Sequence, residues 1–251
     1  MDVIPLFDAF AGFGACKPGE RVPVSAAEWL EEMERLSIGR ALVRTAAEDL
    51  DSDFVASNEA LLAACESAPA LVPCPVAVPD TGAEAFPDSQ RPEALLARGA
   101  AAVCLRPQQD CWSLSDWASG ALLAALAERH VPVFCRQEQV TLEQAAELAG
   151  RHRELPVIIA AVGYRSQRVA VPLMRSFPNV HFCLGGSASL HRGIEQLVAA
   201  AGAERILFGT GFPESAPAAA ITQLTYAEIT DEQKALIGSG NLERLLGGIR
   251  R

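Results

Sequence analysis

The sequence predicts an α/β protein of one domain, residues 1–251. This domain is expected to be a (β/α)₈ barrel with an additional C-terminal helix. Short aliphatic and β-branched runs alternate with longer amphipathic stretches, as in proteins whose parallel strands are buried on both faces. The length of 251 residues suits one barrel, since such barrels run to about 250 residues. Half of the residues are hydrophobic, which supplies the apolar surface that such a core needs.

The runs that we interpret as strands are short, apolar and spread along the whole chain. They are Val3–Asp8, Ala41–Arg44, Leu71–Val78, Ala101–Arg106, Val131–Arg136, Pro156–Ala161, Val180–Leu184 and Arg205–Gly209. The amphipathic stretches predict helices that connect one strand to the next. They are Ala26–Leu36, Asp53–Ser67, Pro92–Arg98, Ser115–Arg129, Leu142–Arg153, Gln167–Phe177, Leu190–Ala201 and Ala216–Ala227. Asp231–Ile237 and Asn241–Leu246 predict terminal helix on the outside of the barrel.

Several of these helices carry sequence signals at their ends. Ser25 and Thr141 each precede a helix as an N-cap hydroxyl, and an acid or amide three positions later completes a capping box. Glycines follow three of the helices, where a left-handed residue closes the last turn at little cost. They are Gly39, Gly99 and Gly202.

The overall charge limits the kinds of partner. Lys and Arg total 21 against 31 Asp and Glu, so the net charge of −10 opposes general binding to nucleic acids or anionic membranes. The sequence begins without a basic leader, and no apolar run approaches the roughly 20 residues that span a bilayer. We therefore expect a cytoplasmic protein without nucleic-acid or membrane partners, in which a small anion needs a local basic pocket.

The cysteines do not suggest a disulfide framework or a zinc site. There are seven, an odd number, and no Cys-x-x-Cys pair occurs among them. Several lie within apolar runs, which is typical of buried thiols. We expect Cys135 to face the helices, because the alternation of a strand places it opposite Arg136.

Two segments near the C-terminus are the most distinctive of the chain. Gly202–Pro213 reads GAERILFGTGFP, and Ile237–Leu246 reads IGSGNLERLL. The first resembles the strand-eight signature of the amidohydrolase 2 family, usually G-A-x-R-I-L-F-G-S/T-D-x-P, and the second resembles that family's closing helix, I-x-x-x-N-A-x-R-L-L. Weaker likenesses lie at Met33–Gly39, Asn58–Leu62, Leu71–Pro73 and Gly99–Val103. The resemblance implies a (β/α)₈ barrel with metal-dependent hydrolase or decarboxylase chemistry.

The residues that would hold the family's metal are replaced in this chain. The resemblance implies a divalent metal bound by an H-x-H pair ending strand one, histidines ending strands five and six, and an aspartate ending strand eight. At these positions stand Phe10, Gly12, Arg136, Ala161 and Gly211. Phe, Gly and Ala side chains carry no ligand atom, and the permanent charge of Arg136 repels a cation. We expect no metal or other cofactor, and no metal-dependent hydrolase activity.

Three arginines end predicted strands on the face where such barrels bind ligands. Arg44, Arg106 and Arg136 close strands two, four and five. Guanidinium groups donate forked hydrogen bonds that suit a carboxylate or a phosphate, so the three side chains predict a pocket for a small anion. In the alternative interpretation, each arginine pairs with an acid nearby or points into solvent. The candidates are Glu48, Asp49, Asp110 and Glu138.

Two glycine-containing loops at the same end of the barrel offer backbone N–H groups to an anion. They carry Ser187 after strand seven and Thr210 after strand eight. The alternative is that both are tight turns, with Ser187 as a helix cap. His191 also follows strand seven and could reach this end, whereas we place the other three histidines at the opposite end of the barrel.

Asp8 is the one acid in the strand-one motif, and two roles are open to it. If burial raised its pKa, it would serve as a general base. Alternatively it neutralises Arg136 across the mouth of the barrel, and we favour this ion pair.

The leading functional hypothesis is an amidohydrolase-like barrel that has lost metal-dependent hydrolysis. It either binds a small anionic molecule, a carboxylate or a phosphate, or survives as a non-catalytic subunit of a homo-oligomer or beside a homologous chain. The alternative is an active hydrolase or decarboxylase that acts on a small carboxylate or lactone with non-standard metal ligands or none.

Overall fold

Strands and helices alternate along the computed structural model, which describes residues 4–14, 25–45, 53–82, 86–185 and 192–250. The strands in these ranges are β1 (Phe7–Phe13), β2 (Arg40–Thr45), β3 (Leu71–Pro73), β4 (Val103–Leu105), β5 (Val133–Arg136), β6 (Val157–Ala160), β7 (Val180–Cys183) and β8 (Ile206–Leu207). The α-helices are α1 (Ala26–Arg35), α2 (Phe54–Glu66), α3 (Pro92–Ala97), α4 (Asp116–Glu128), α5 (Leu142–Arg151), α6 (Gln167–Ser176), α7 (Gly193–Ala201), α8 (Pro217–Tyr226), α9 (Asp231–Ala235) and α10 (Asn241–Gly247). A π-helical turn, Leu236–Gly240, joins α9 to α10.

The eight strands form a ring of parallel β-structure. β1, β2 and β3 pair in that order, and β4 to β8 pair in chain order. The two groups meet at a bridge between Val76 and Cys104 on one side, and at a bridge between Ala11 and Phe212 on the other. Both bridges are parallel, so the strand order is that of the predicted (β/α)₈ barrel.

Side chains alternate between the inside of the barrel and the surrounding layer of helices. On β5, Phe134 belongs to the inner cluster, whereas Cys135 belongs to the outer cluster together with Leu148 of α5. Cys135 therefore faces the helices, as expected, and burial raises the pKa of its thiol to about 12. The same alternation turns Arg136 toward the inside of the barrel.

The structure describes six of the seven cysteines. Five are buried and Cys111 is exposed. Cys16 lies outside the described residues. The buried thiols fill apolar space within the two core clusters, which is the packing role expected from the sequence.

The first strand lies further along the chain than the sequence predicts. We expected Val3–Asp8, and β1 instead covers Phe7–Phe13, all of whose residues are buried. The sequence signal is weak because Ala and Gly have low strand propensity, and the pairing with β2 is irregular between Asp8 and Ala11. Pairing with β2 fixes the bounds of β1, which therefore extends to the mouth of the barrel.

The helix ends follow the sequence signals, with one exception. Ser25 Oγ accepts from the N–H of Glu28 at 3.2 Å, and Thr141 Oγ1 accepts from the N–H of Gln144 at 3.2 Å. Both capping boxes are therefore confirmed. Gly99 and Gly202 have positive φ, but after α1 the left-handed residue is Ser37 at φ 57°, and not Gly39. No helix in the described ranges is long and apolar enough to cross a membrane.

The C-terminal helix closes one end of the barrel. Leu242 of α10 belongs to the inner cluster, together with Phe7 of β1 and Leu207 of β8. The side-chain amide of Asn241 donates to Ala203 O at 2.7 Å and Ile206 O at 2.8 Å, where β8 begins. We expected this segment on the outside of the barrel; it instead covers the end at which the strands begin.

Candidate functional site

Phe10 occupies the middle of the barrel mouth, the end of the barrel formed by the C-terminal ends of the strands. Its ring lies 5.5 Å from the ring of Phe134 on β5. A Cβ atom at Gly185 would lie 2.8 Å from Phe10 Cδ1, and one at Gly209 would lie 2.8 Å from Phe10 Cβ. Glycines thus leave the space that the Phe10 side chain fills. Packing of this kind makes the floor of the mouth apolar.

Two arginines lie over this aromatic floor, and we call Arg44 and Arg136 the arginine pair. The guanidinium carbon of Arg44 is 4.5 Å from the centre of the Phe10 ring, and that of Arg136 is 5.8 Å from it. Their side chains are only 3% and 10% exposed. Cation–π contact and partial burial hold both charges in place, so each is less hydrated than a surface arginine.

One carboxylate joins the arginine pair. Glu214 Oε1 and Oε2 accept hydrogen bonds from Arg136 Nη1 at 2.6 Å and Nη2 at 2.9 Å. Arg44 Nη2 donates to the same Oε1 at 3.5 Å. Glu138 Oε1 lies 2.6 Å from Arg136 Nε, on the other edge of the guanidinium. The pair therefore binds a carboxylate in the forked geometry that guanidinium groups favour.

Asp8 lies beneath this group and is completely buried. Its Oδ1 accepts from the N–H groups of Phe10 at 2.9 Å and Thr210 at 3.0 Å, and its Oδ2 accepts from Thr210 Oγ1 at 2.6 Å. Burial raises the pKa of Asp8, while these hydrogen bonds and the charge of Arg44 act in the opposite direction. We expected an ion pair with Arg136, but Arg136 is held by Glu214 and Glu138, and Asp8 joins β1 to the loop after β8.

Arg106 differs from the arginine pair. It ends β4 on the inner face of the barrel, and its side chain is 2% exposed. Arg106 Nε and Nη2 donate to the two carboxylate oxygens of Asp110, each at 2.9 Å. This is the pairing with a nearby acid that the alternative interpretation describes, and the contact of Arg136 with Glu138 is a second such pair. Two of the three predicted arginines thus converge on one carboxylate, and the third is held by a carboxylate of its own.

Of the residues predicted to bind a ligand on the loops after β7 and β8, the structure describes Thr210. Thr210 is completely buried and donates both its N–H and its hydroxyl to Asp8, and the N–H of Gly211 donates to Phe10 O at 2.8 Å. These donors serve the protein itself, so we leave Thr210 out of the proposed ligand-binding group. Ser187 and His191 lie outside the described residues.

The three described histidines lie away from the mouth. His130 follows α4 and its Nε2 lies 2.7 Å from Glu154 Oε2, and His152 ends α5. His181 is on β7, where burial lowers its pKa to about 4, and the charges of Arg244 and Arg205 add to this effect. Within the described ranges no three His, Cys, Asp or Glu side chains form a group that could hold a metal ion.

The residues that the sequence resemblance assigns to metal positions lack the side chains of metal ligands. Phe10 fills its position with an aromatic ring, and Ala161 and Gly211 offer no side-chain donor. A Cβ atom at Gly12 would lie 3.0 Å from Arg44 O and 3.1 Å from Arg44 Nη1. A side chain at residue 12 would therefore crowd the observed Arg44 backbone and guanidinium. Arg44 and Arg136 bring two positive charges to this part of the mouth, and Glu214 and Glu138 lie against them.

Sequence reasoning missed Glu214, the residue that joins the arginine pair. It follows directly on the strand-eight signature, which ends at Pro213. Its position depends on the path of the loop after β8, which no periodicity describes. The available sequence signal was that Glu214 is an acid a few residues after the eighth predicted strand, at the end of the barrel where the arginines were also predicted.

Comparison with known proteins identifies the wider group. The model of the amidohydrolase 2 family, described as Amidohydrolase, matches residues 25–248. No curated protein matches the chain. An uncharacterised TIM-barrel protein from Bordetella bronchiseptica is 18% identical with a TM-score of 0.76, covering 99% of this chain and 100% of that one. At such identity the likeness shows the fold.

Two other solved structures are similar over nearly their whole length. A dihydroxybenzoic acid decarboxylase from Polaromonas, with bound manganese and the inhibitor 2-nitroresorcinol, is 12% identical with a TM-score of 0.72 and covers 98% of this chain and 97% of that one. A probable 2-pyrone-4,6-dicarboxylic acid hydrolase from Acinetobacter baumannii, with citric acid bound, is 14% identical with a TM-score of 0.69, covering 96% and 99%.

Proposed function

The chain belongs to the amidohydrolase 2 family, and from this premise we propose that it binds a small anionic molecule, a carboxylate or a phosphate, at the barrel mouth without the family's metal-dependent hydrolysis. The observation that carries the proposal is the arginine pair, two buried guanidinium groups that bind one carboxylate over an aromatic floor. In a protein of net charge −10, the arginine pair places two guanidinium groups together on one carboxylate at the barrel mouth.

We leave metal chemistry out of the proposal because the side chains at the five positions do not form a set of metal ligands. Residues 10, 12, 161 and 211 bring no ligand side chain, and Arg136 brings a permanent cation. The decarboxylase from Polaromonas carries manganese, so a relative with the same fold keeps a metal. We infer that, in this chain, the charge of the arginine pair has replaced the charge of the cation as the group that attracts an anion.

A carboxylate is the form of anion that the geometry favours. Arg136 donates two parallel hydrogen bonds to a carboxylate, and the apolar ring of Phe10 lies beside the site. The fold neighbour from Acinetobacter baumannii has citric acid bound, which is a carboxylate ligand of that protein. A small organic acid with an apolar face would meet both the guanidinium groups and the floor.

The experiment that tests the proposal is titration with malonate by calorimetry and thermal shift. We expect malonate to bind the wild-type chain and Arg136→Gln to bind it roughly tenfold to a hundredfold more weakly, because a hydrogen-bonded charge is lost. Arg136→Lys keeps the charge but lacks the fork, and we expect an intermediate affinity. It also serves if Arg136→Gln folds poorly.

Arg91→Gln is the matched control. It removes the same charge from a side chain that is 49% exposed and paired with Asp80 and Asp88 at the surface. We expect it to bind malonate as the wild type does. Equal affinities of the wild type, Arg136→Gln and Arg91→Gln would overturn the proposal, since binding would then be unrelated to the arginine pair.

A second candidate is metal-free hydrolysis or decarboxylation of a small carboxylate or lactone, with Asp8 as the acid–base group. The observation in its favour is that burial raises the pKa of Asp8, in the direction that such a role needs. Against it, the Asp8 carboxylate is completely buried under Phe10 and Thr210. Turnover of a lactone panel by the wild type but not by Asp8→Asn would favour this candidate.

A further inference from the structure

We propose that the Glu214 carboxylate occupies the place of the ligand's carboxylate, so that an incoming anion binds by replacing it on the arginine pair. The inference rests on the proposed function and adds a competitor that belongs to the protein itself. Its basis is the juxtaposition of Glu214 with Arg136 and Arg44 at the barrel mouth.

The contacts of Glu214 are those of a bound carboxylate. Both of its oxygens accept from the terminal nitrogens of Arg136, and one of them also accepts from Arg44. The carboxylate of a small acid, placed on the same two guanidinium groups, would make the same hydrogen bonds. The two carboxylates therefore compete for one position.

The exposure of the three side chains indicates which of them can move. The side chain of Glu214 is 39% exposed, whereas those of Arg136 and Arg44 are 10% and 3% exposed. The arginines are held over Phe10 within the barrel, and Glu214 reaches them from the solvent side. Exchange thus requires rotation of the glutamate side chain, while the two guanidinium groups stay in place.

The backbone before Glu214 is anchored, which keeps the carboxylate close to the arginine pair. Phe212 stacks on Trp29 with ring centres 4.1 Å apart, and its N–H donates to Thr210 Oγ1 at 3.1 Å. The N–H of Ser215 donates to Gly211 O at 3.0 Å. A tethered carboxylate of this kind acts at a high effective concentration, so it sets the affinity that a free anion must exceed.

Exchange also keeps the charges of the site in balance. The arginine pair is largely removed from water, so loss of the Glu214 carboxylate would remove charge-assisted hydrogen bonds that water does not fully replace. Glu214 supplies these hydrogen bonds when no ligand is bound. A carboxylate ligand supplies them when bound, and the displaced glutamate then lies in solvent.

The test compares Glu214→Gln with the wild type in calorimetric titrations of malonate at constant ionic strength. The glutamine is similar in size but carries no charge, so it competes weakly. We expect the dissociation constant for malonate to fall by about tenfold or more, since a charge-assisted hydrogen bond of the competitor is lost.

Glu138→Gln is the matched control, because it removes one carboxylate from the same Arg136. Glu138 Oε1 lies 2.6 Å from Nε, whereas Glu214 binds Nη1 and Nη2, and the Glu138 side chain is 53% exposed. We expect its dissociation constant for malonate to stay within about threefold of the wild type, the range of a screened surface ion pair. Equal gains in the two variants would overturn the inference and show a general charge effect.

The outcomes separate the inference from the proposed function. If the wild type and Glu214→Gln bind malonate equally well, and Arg136→Gln does not bind it, the arginine pair is the site but Glu214 is not its competitor. If neither the wild type nor Glu214→Gln binds malonate, both the inference and the proposed function are overturned. If Glu214→Gln binds malonate more tightly than both the wild type and Glu138→Gln, the inference and the proposed function are both supported.

Discussion

Asp8 is a buried side chain that joins the first strand of the barrel to the loop after the last strand. It takes three hydrogen bonds from β1 and from the loop after β8, within 3.0 Å, and no part of it reaches solvent. The same contacts place Phe10, whose ring lies under the arginine pair. Because Asp8 acts through the position of Phe10 and Thr210, we regard it as a positioning residue under the proposed function.

We expect Asp8→Ala and Asp8→Asn to differ strongly in stability. Alanine leaves two buried N–H groups and one hydroxyl without an acceptor, at about 1–3 kcal/mol each, so the free energy of unfolding should fall by about 3 kcal/mol or more. Asparagine keeps an oxygen for the two N–H groups and can donate to Thr210 Oγ1. Urea unfolding of the three proteins measures the difference; equal losses in both variants would contradict this role.

The pH dependence gives a second test of Asp8. Because burial raises its folded-state pKa above the ordinary value of 3.8, its contribution to stability is fully present below that value and is lost as pH rises through the folded-state pKa. Asp8→Asn does not titrate. The unfolding free energy of Asp8→Asn relative to the wild type should therefore increase as pH rises from 3.8, and a relative decrease would contradict the account.

At the residue scale, the sequence predicts what depends on strand position and misses what depends on loops. Arg44 and Arg136 lie near the C-terminal ends of β2 and β5, and the alternation of side chains along a strand turns both toward the inside of the barrel. Their convergence on the mouth could therefore be predicted from strand position. The partners of Arg136 and Asp8 do not follow from any period. Glu214 reaches Arg136 from a loop 78 residues further along the chain, which only the folded structure reveals.

At the scale of elements, α10 is the segment whose motif is best explained by its contacts. Asn241 is completely buried and donates to two carbonyl groups at the start of β8. Leu242 packs in the inner cluster, while Glu243 is exposed. The asparagine in the closing helix is thus one of the residues that join the helix to the barrel.

We expect Asn241→Ala to lower the free energy of unfolding by about 2–4 kcal/mol, because two buried carbonyl groups lose their donor. Glu243→Ala is the control on the same helix and should change stability by no more than about 0.5 kcal/mol. Urea unfolding checks both. A loss below about 0.5 kcal/mol for Asn241→Ala would show that the helix is not held to the barrel by this side chain.

Element prediction succeeded where local chemistry decides, as in the capping boxes at Ser25 and Thr141. It failed at β1, where alanine and glycine conceal a strand that is fixed by its neighbours. It also failed after α1, where Ser37 and not Gly39 takes the left-handed conformation. Tertiary contacts override weak local preferences at these positions.

At the scale of the whole molecule, the chain keeps the fold of its family, and an arginine pair lies at the mouth of its barrel. The family model covers residues 25–248, which include β2 to β8 but not β1. Phe10 and the arginine pair meet at the mouth, and Gly12 lies against Arg44. We infer that the mouth selects anions with fixed guanidinium charges.

The most direct test of this claim is metal analysis of the wild-type chain, purified without chelator and assayed after exposure to zinc, manganese and iron. Our account predicts no stoichiometric metal, and malonate binding that is unchanged by chelation. A transition metal bound at one ion per chain, removed by chelator together with malonate binding, would contradict it.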